Sequence, residues 1–99
     1  MKELEKDERL LCELQGKIFE KSVGEYGTSS AVFVRRYMNS DYAARMDRIG
    51  FIDRPTDEQE AFASLDAQYG SSQYGSELFS PEEMFWMGYI YRYWVCAYD

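Results

Sequence analysis

There is no histidine in these 99 residues, and only two cysteines and two prolines. Without histidine, no imidazole can ligate a metal and no Ser-His-Asp or Cys-His catalytic pair can form. No side chain then has an ordinary pKa that switches charge between about pH 5 and 8. Two cysteines, Cys12 and Cys96, are too few for a zinc site or a disulfide framework. Both fall in apolar helical settings and read as buried reduced thiols, with a bridge between the first and last helix as the alternative. No glycine loop has phosphate-binding spacing, since Gly70 and Gly75 lack both the register and the lysine. No segment alternates with period two and neither Asn-Gly nor Asp-Gly occurs, so the strand and hairpin signals are missing. The apolar stretch Met84–Tyr98 is shorter than the roughly 20 residues needed to cross a bilayer. Met1 to Arg9 is charged and has no signal-peptide core, which places the chain in the cytoplasm as an expectation.

What is present is charge of one sign and many rings. The net charge is −7, and 17% of residues are aromatic. Residues 53–99 hold nine acidic and two basic side chains, while residues 28–52 hold four arginines against two acids. An acidic surface repels nucleic acid and anionic lipid. It suits solubility, a basic protein partner, or competition for a basic groove. A 45% share of hydrophobic residues is ample for one core, so residues 1–99 read as a single helical domain.

Helical spacing organises the chain. Residues 2–24 predict a first, long helix whose stripe is Leu4, Leu11, Leu14 and Ile18, extended by Phe19 or Val23, with opposite charges three or four apart on its other faces. Thr28-Ser29-Ser30 can cap a second helix, Ala31 to about Asn39. Ser40 can cap a third, Asp41 to Arg48, ending at Gly50. Arg35, Arg36, Arg45 and Arg48 form the only basic cluster. Two short helices there resemble a helix-turn-helix, but four cations beside an acidic remainder make a poor phosphate surface. Thr56-Asp57-Glu58-Gln59 predicts a capping box for a fourth helix ending near Tyr69. Ser80-Pro81-Glu82-Glu83 predicts the start of a fifth. The acid pairs Asp57/Glu58 and Glu82/Glu83 lie in first turns, where the helix dipole accounts for them without catalysis.

The fifth helix carries most of the functional information. From Met84 to Tyr98 its only charge is Arg92, so it lacks the polar face of a surface helix. It is either wrapped by its own fold or buried on one side and offered to a partner on the other. At 100° per residue, Met84, Met87, Tyr91, Trp94, Val95 and Tyr98 form one side, the expected core. Trp86, Tyr89, Tyr93 and Ala97 form the other. Trp and Tyr are preferred at binding hot spots. The candidate partner-binding residues are therefore Trp86, Tyr89 and Tyr93, with Tyr74 in the Gly70–Gly75 loop and the acids Asp57, Glu58 and Glu60. No catalytic residue, metal ligand or cofactor is expected.

Several strings resemble a known family: Ser29-Ser30-Ala31-Val32-Phe33-Val34-Arg35-Arg36-Tyr37-Met38, Ser40-Asp41-Tyr42-Ala43, Gln68-Tyr69-Gly70, Tyr74-Gly75, Ser80-Pro81-Glu82 and Trp86-Met87-Gly88-Tyr89-Ile90-Tyr91-Arg92-Tyr93-Trp94. Over roughly residues 26–98 they are similar to small uncharacterised proteins of gut Firmicutes. That family is associated with mobile elements and with cassettes beside ADP-ribosyltransferase-like toxins. Gly-Tyr-Ile-Tyr-Arg-Tyr-Trp is the most specific piece. The resemblance implies an antitoxin or accessory component of a toxin–antitoxin system, in a family whose members are expected to continue past the position of Asp99. The antitoxin role is the favoured one; a short acidic version also fits the alternative, an anti-CRISPR inhibitor that occupies the nucleic-acid channel of an effector nuclease.

The combined expectation is an all-α, single compact domain of about five helices, with a long N-terminal helix and a central aromatic C-terminal helix. It would be a non-enzymatic protein whose partner is another protein: a toxin, or a nucleic-acid-binding effector with a basic surface. It would touch neither nucleic acid nor membrane directly. DNA binding through the four arginines is the reading of a different class.

Overall fold

Capping side chains set where the helices begin. The computed structural model describes residues 6–26, 28–46, 57–70, 75 and 77–98, and among them five α-helices and no strand. They are α1 (Lys6–Glu25), α2 (Ser30–Met38), α3 (Asp41–Met46), α4 (Glu58–Tyr69) and α5 (Pro81–Tyr98). The Ser29 hydroxyl opens α2 by accepting from the Val32 amide at 3.3 Å. At the next junction one hydroxyl serves two helices. Ser40 Oγ donates to the last-turn carbonyl of Tyr37 at 2.6 Å and accepts from the Ala43 amide at 3.1 Å. Asp57 caps α4 by accepting from the Glu60 amide at 3.0 Å. The cap thus falls one residue later than the expected Thr56, on Asp57; Thr56 itself lies outside the described residues, as do Leu4, Arg48 and Tyr74. Gly70 ends α4 at φ 77, a left-handed conformation that a Cβ would disfavour.

The start of α5 is a reciprocal capping box, as its sequence predicts. Ser80 Oγ accepts from the Glu83 amide and Glu83 Oε1 from the Ser80 amide, each at 3.1 Å. These bonds from the Ser80 amide and hydroxyl hold the Glu83 carboxyl below the usual carboxylate range. Ser80→Ala is expected to destabilise the fold by about 1 kcal/mol in chemical denaturation, and a change under ~0.2 kcal/mol would mean the box contributes nothing.

Rings from three helices make the core. Phe19 of α1 meets Phe33 and Tyr37 of α2 edge-on, with centroids 5.4 and 5.1 Å away. Tyr26 lies edge-on to Phe33 at 5.2 Å and stacks on Phe62 of α4 at 6.3 Å. Ile18, Leu65 and Met84 close the cluster, and Leu11, Leu14 and Val23 pack against it, so the predicted stripe of the first helix does face inward. The radius of gyration, 13.0 Å, matches about 13 Å for a compact domain of this length.

The last helix lies along the first. Phe85 meets Gly16, Gly88 meets Gln15 and Phe19, and Arg92 reaches Gln15. Met84 joins the cluster of Ile18 and Phe19, Arg92 about two turns on reaches Gln15, and Cys96 neighbours Cys12, so the pair is antiparallel. The expected all-α architecture, with its long first helix and aromatic last helix, is what the chain adopts.

Candidate partner-binding face on the last helix

Two small or polar residues decide which side of α5 is buried. A Cβ on Gly88 would stand 2.6 Å from the Gln15 carbonyl oxygen and 2.7 Å from the Phe19 ring. Opposite it, a Cβ on Gly16 would stand 2.9 Å from the Phe85 ring and 3.0 Å from the Phe85 carbonyl. Paired glycines therefore let the two backbones approach more closely than side chains would permit.

One turn further along lies a buried polar hub. Gln15 is 0% and Arg92 3% exposed. Arg92 Nε and Nη2 both donate to Gln15 Oε1, at 3.1 and 3.0 Å. Tyr37 Oη donates to the same oxygen at 3.1 Å, and Gln15 Nε2 donates to the Gly88 carbonyl at 2.8 Å. One amide thus ties α1 to α2 and α5, and desolvation strengthens each bond.

This docking turns five large apolar side chains outward: Trp86, Ile90, Tyr91, Trp94 and Val95. Trp86, Ile90 and Trp94 follow at four-residue spacing, with Tyr91 and Val95 alongside, over about 13 Å of helix. Trp86 is 52% and Trp94 62% exposed. The Trp86 ring is braced by Phe85 at 5.2 Å and by Tyr89 at 5.7 Å, both edge-on. Glu82 and Glu83 are exposed at the N-terminal end of this face.

The expected core side is therefore corrected. Met84 is buried and Met87 packs on the core, but Tyr91, Trp94 and Val95 are exposed. The side chain of Tyr98 lies outside what is described. The aromatic core sits beside the C-terminal half of α1, where the first turn of α5 meets it. Later turns of α5 run toward the N-terminus of α1, and the angular sector that buries Met84 is open at Tyr91 and Val95. On the opposite side, Trp86 is exposed as a partner face requires, Tyr89 and Tyr93 are half-buried, and Ala97 is buried. Burial is the main reason the Tyr89 phenol is shifted up.

The acidic candidates belong to another element. Asp57, Glu58 and Glu60 begin α4, which packs on α1, α2 and α3. Asp57 is exposed and caps its helix, while Glu60 is half-buried. Glu58 pairs with Lys21 of α1 at 3.0 Å. The backbone amide at Glu58 first, and Lys21 second, hold its carboxyl below the usual range. Tyr74 lies outside the described residues. Ile90, Tyr91, Trp94 and Val95 were not among the expected binding residues; four-residue spacing from Trp86, opposite a glycine, is the signal that marks Ile90 and Trp94.

Two of the four arginines lie on rings. Arg36 lies over Tyr69 at 5.5 Å and donates to Tyr26 Oη at 3.3 Å, and Arg45 lies over Tyr42 at 5.6 Å. Among the described residues no group of three or more Cys, Asp or Glu side chains could hold a metal ion, and no helix is long and apolar enough to cross a membrane. No family model, curated protein or solved structure matches the chain.

Proposed function

We propose that this chain is a non-enzymatic binding protein whose partner, another protein, docks on the α5 face formed by Trp86, Ile90, Tyr91, Trp94 and Val95. The exposure of five large apolar side chains over about half the circumference of one helix carries this reading. Together they present on the order of 500 Å² of largely apolar surface, comparable to the largest patches of ordinary monomers, which are often functional. Trp and Tyr dominate binding hot spots, and rings already braced by neighbours lose little freedom on docking. Glu82 and Glu83 beside the face, and the net charge of −7, favour a partner whose apolar patch is rimmed by Lys or Arg.

The role proposed is inhibition of that partner in the cytoplasm, as an antitoxin or accessory component neutralising a toxin. The resemblance around Gly88–Trp94 supports this role. The second reading, inhibition of a CRISPR effector nuclease, draws on the nine acidic and two basic residues of the 53–99 segment, which suit a groove built for nucleic acid. Direct DNA binding is the least supported, because Arg36 and Arg45 are engaged with rings.

Affinity capture from the native host, with the wild-type chain and with Trp86→Ala/Trp94→Ala, tests the proposal. A partner held by the wild type and lost from the double variant is expected, with affinity falling about 30-fold or more and the melting temperature nearly unchanged. A partner held equally by both would move the binding surface off α5. The partner's identity, toxin or nuclease, separates the two roles.

A further inference from the structure

Cys12 on α1 and Cys96 on α5 are the only cysteines of the chain. The antiparallel register that sets Arg92 against Gln15 carries Cys96 and Cys12, about one turn further on, along the same seam. Both thiols are free, and Cys96 is near enough to Cys12 to perturb its sulfur. A disulfide joins residues whose Cα atoms are about 4.4–6.8 Å apart, so it needs two helices that pack closely. The bridge between the first and last helix that the sequence leaves open is the one this packing favours.

We propose that Cys12 and Cys96 are an oxidation site, at which a hydroperoxide converts the thiol pair into a disulfide joining α1 to α5. The two thiols differ in access. Cys12 is 0% exposed, whereas Cys96 is half-buried. Burial, and then the neighbouring Cys96, push the Cys12 thiol up to about 12, so it is a weak first nucleophile. Cys96 therefore reacts first. Its thiolate attacks a peroxide oxygen, the O–O bond breaks, and the departing oxygen leaves as water or alcohol, giving a sulfenic acid on Cys96. Cys12 sulfur then attacks Cys96 Sγ. The S–O bond breaks, the S–S bond forms, and the hydroxyl leaves as water with the proton of Cys12. The two thiols supply the two electrons that reduce the peroxide. A small-molecule dithiol restores the pair by exchange. The product would fix the helix bearing the aromatic face to the long first helix and close a loop of nearly the whole chain.

The test treats the full-length wild-type protein with hydrogen peroxide, then counts thiols by alkylation in denaturant and records intact mass and melting temperature. Two thiols should fall to none with the loss of two hydrogens and no added oxygen. The chain should remain monomeric, with the melting temperature raised by about 10 °C or more. Dithiothreitol should reverse all of this. In Cys12→Ser, peroxide should leave a sulfenic acid on Cys96 that dimedone traps. Thiols that survive peroxide, oxygen added to Cys96 while Cys12 still alkylates, or a disulfide-linked dimer would each overturn the proposal. None of these outcomes depends on whether α5 binds a partner.

Discussion

Gln15→Leu is expected to destabilise the protein by about 3–5 kcal/mol, a large part of a typical domain's stability. The substitution keeps the volume and suits the apolar surroundings, so a reading by hydrophobicity alone expects a gain. The hydrogen bonds say otherwise. Gln15 Oε1 is the acceptor for Arg92 Nε and Nη2 and for Tyr37 Oη, and Nε2 is a donor to the Gly88 carbonyl. Leucine removes all four bonds at once and leaves a guanidinium that is 3% exposed without these contacts. A buried charge that loses hydrogen bonds costs more than a neutral group that loses them. The companion variant makes the argument specific. In Gln15→Leu/Arg92→Met the charge is gone too, so part of the loss should return, because replacing both members of a buried polar pair is far less costly than replacing one. Denaturant unfolding of the wild type, both single variants and the double variant measures the coupling. A double variant that loses the sum of the two single effects would show that Gln15 and Arg92 act independently.

Gly88→Ala should lower stability by about 2 kcal/mol or more, although alanine is favoured over glycine by about 1 kcal/mol inside a helix. The clash decides the sign. The new Cβ would meet the Gln15 carbonyl oxygen at 2.6 Å, which is backbone of α1 and cannot rotate away. The helices would have to separate, weakening the hub one turn along. Gly24→Ala is the control, since that helical glycine has nothing within 4 Å of its Cβ position. It should gain a few tenths to about 1 kcal/mol. Thermal melts of the two variants are expected to move in opposite directions. A stabilised Gly88→Ala would mean that α5 does not dock through this glycine.

Local signals were legible in the residues and long-range ones were not. Ser40, Ser80-Pro81-Glu82-Glu83 and the Leu11–Leu14–Ile18 stripe act through neighbours a few positions away, and each works as its spacing predicts. Gln15 stands three and four positions from Leu11, Cys12, Ile18 and Phe19, so its side of the helix was legible but its partners were not. What buries it is Tyr37, 22 residues on, and Arg92, 77 residues on. The inner side of α5 was misread for the same reason. Projection ranks sides by apolarity and chooses the side of Trp94, whereas the chain docks through its smallest residue and its only charged one in the segment. Trp86, which the sequence leaves either buried or offered to a partner, is exposed because it lies opposite Gly88 and Arg92. Trp94 and Tyr91 were expected in the core, and they are exposed because the core that covers Met84 does not extend along the later turns.

The central claim is that this aromatic face is open in the free protein and closed by a partner. The chain offers a direct probe, because its only two tryptophans, Trp86 and Trp94, are both on that face. Selectively excited tryptophan emission, quenched with neutral acrylamide in the free protein and again in complex with the captured partner, reads the face without any substitution. Solvent-like emission and efficient quenching in the free, folded chain, with a blue shift and strong protection in the complex, is the predicted result. Tryptophans already shielded in the free protein, or equally quenched with the partner bound, would contradict it.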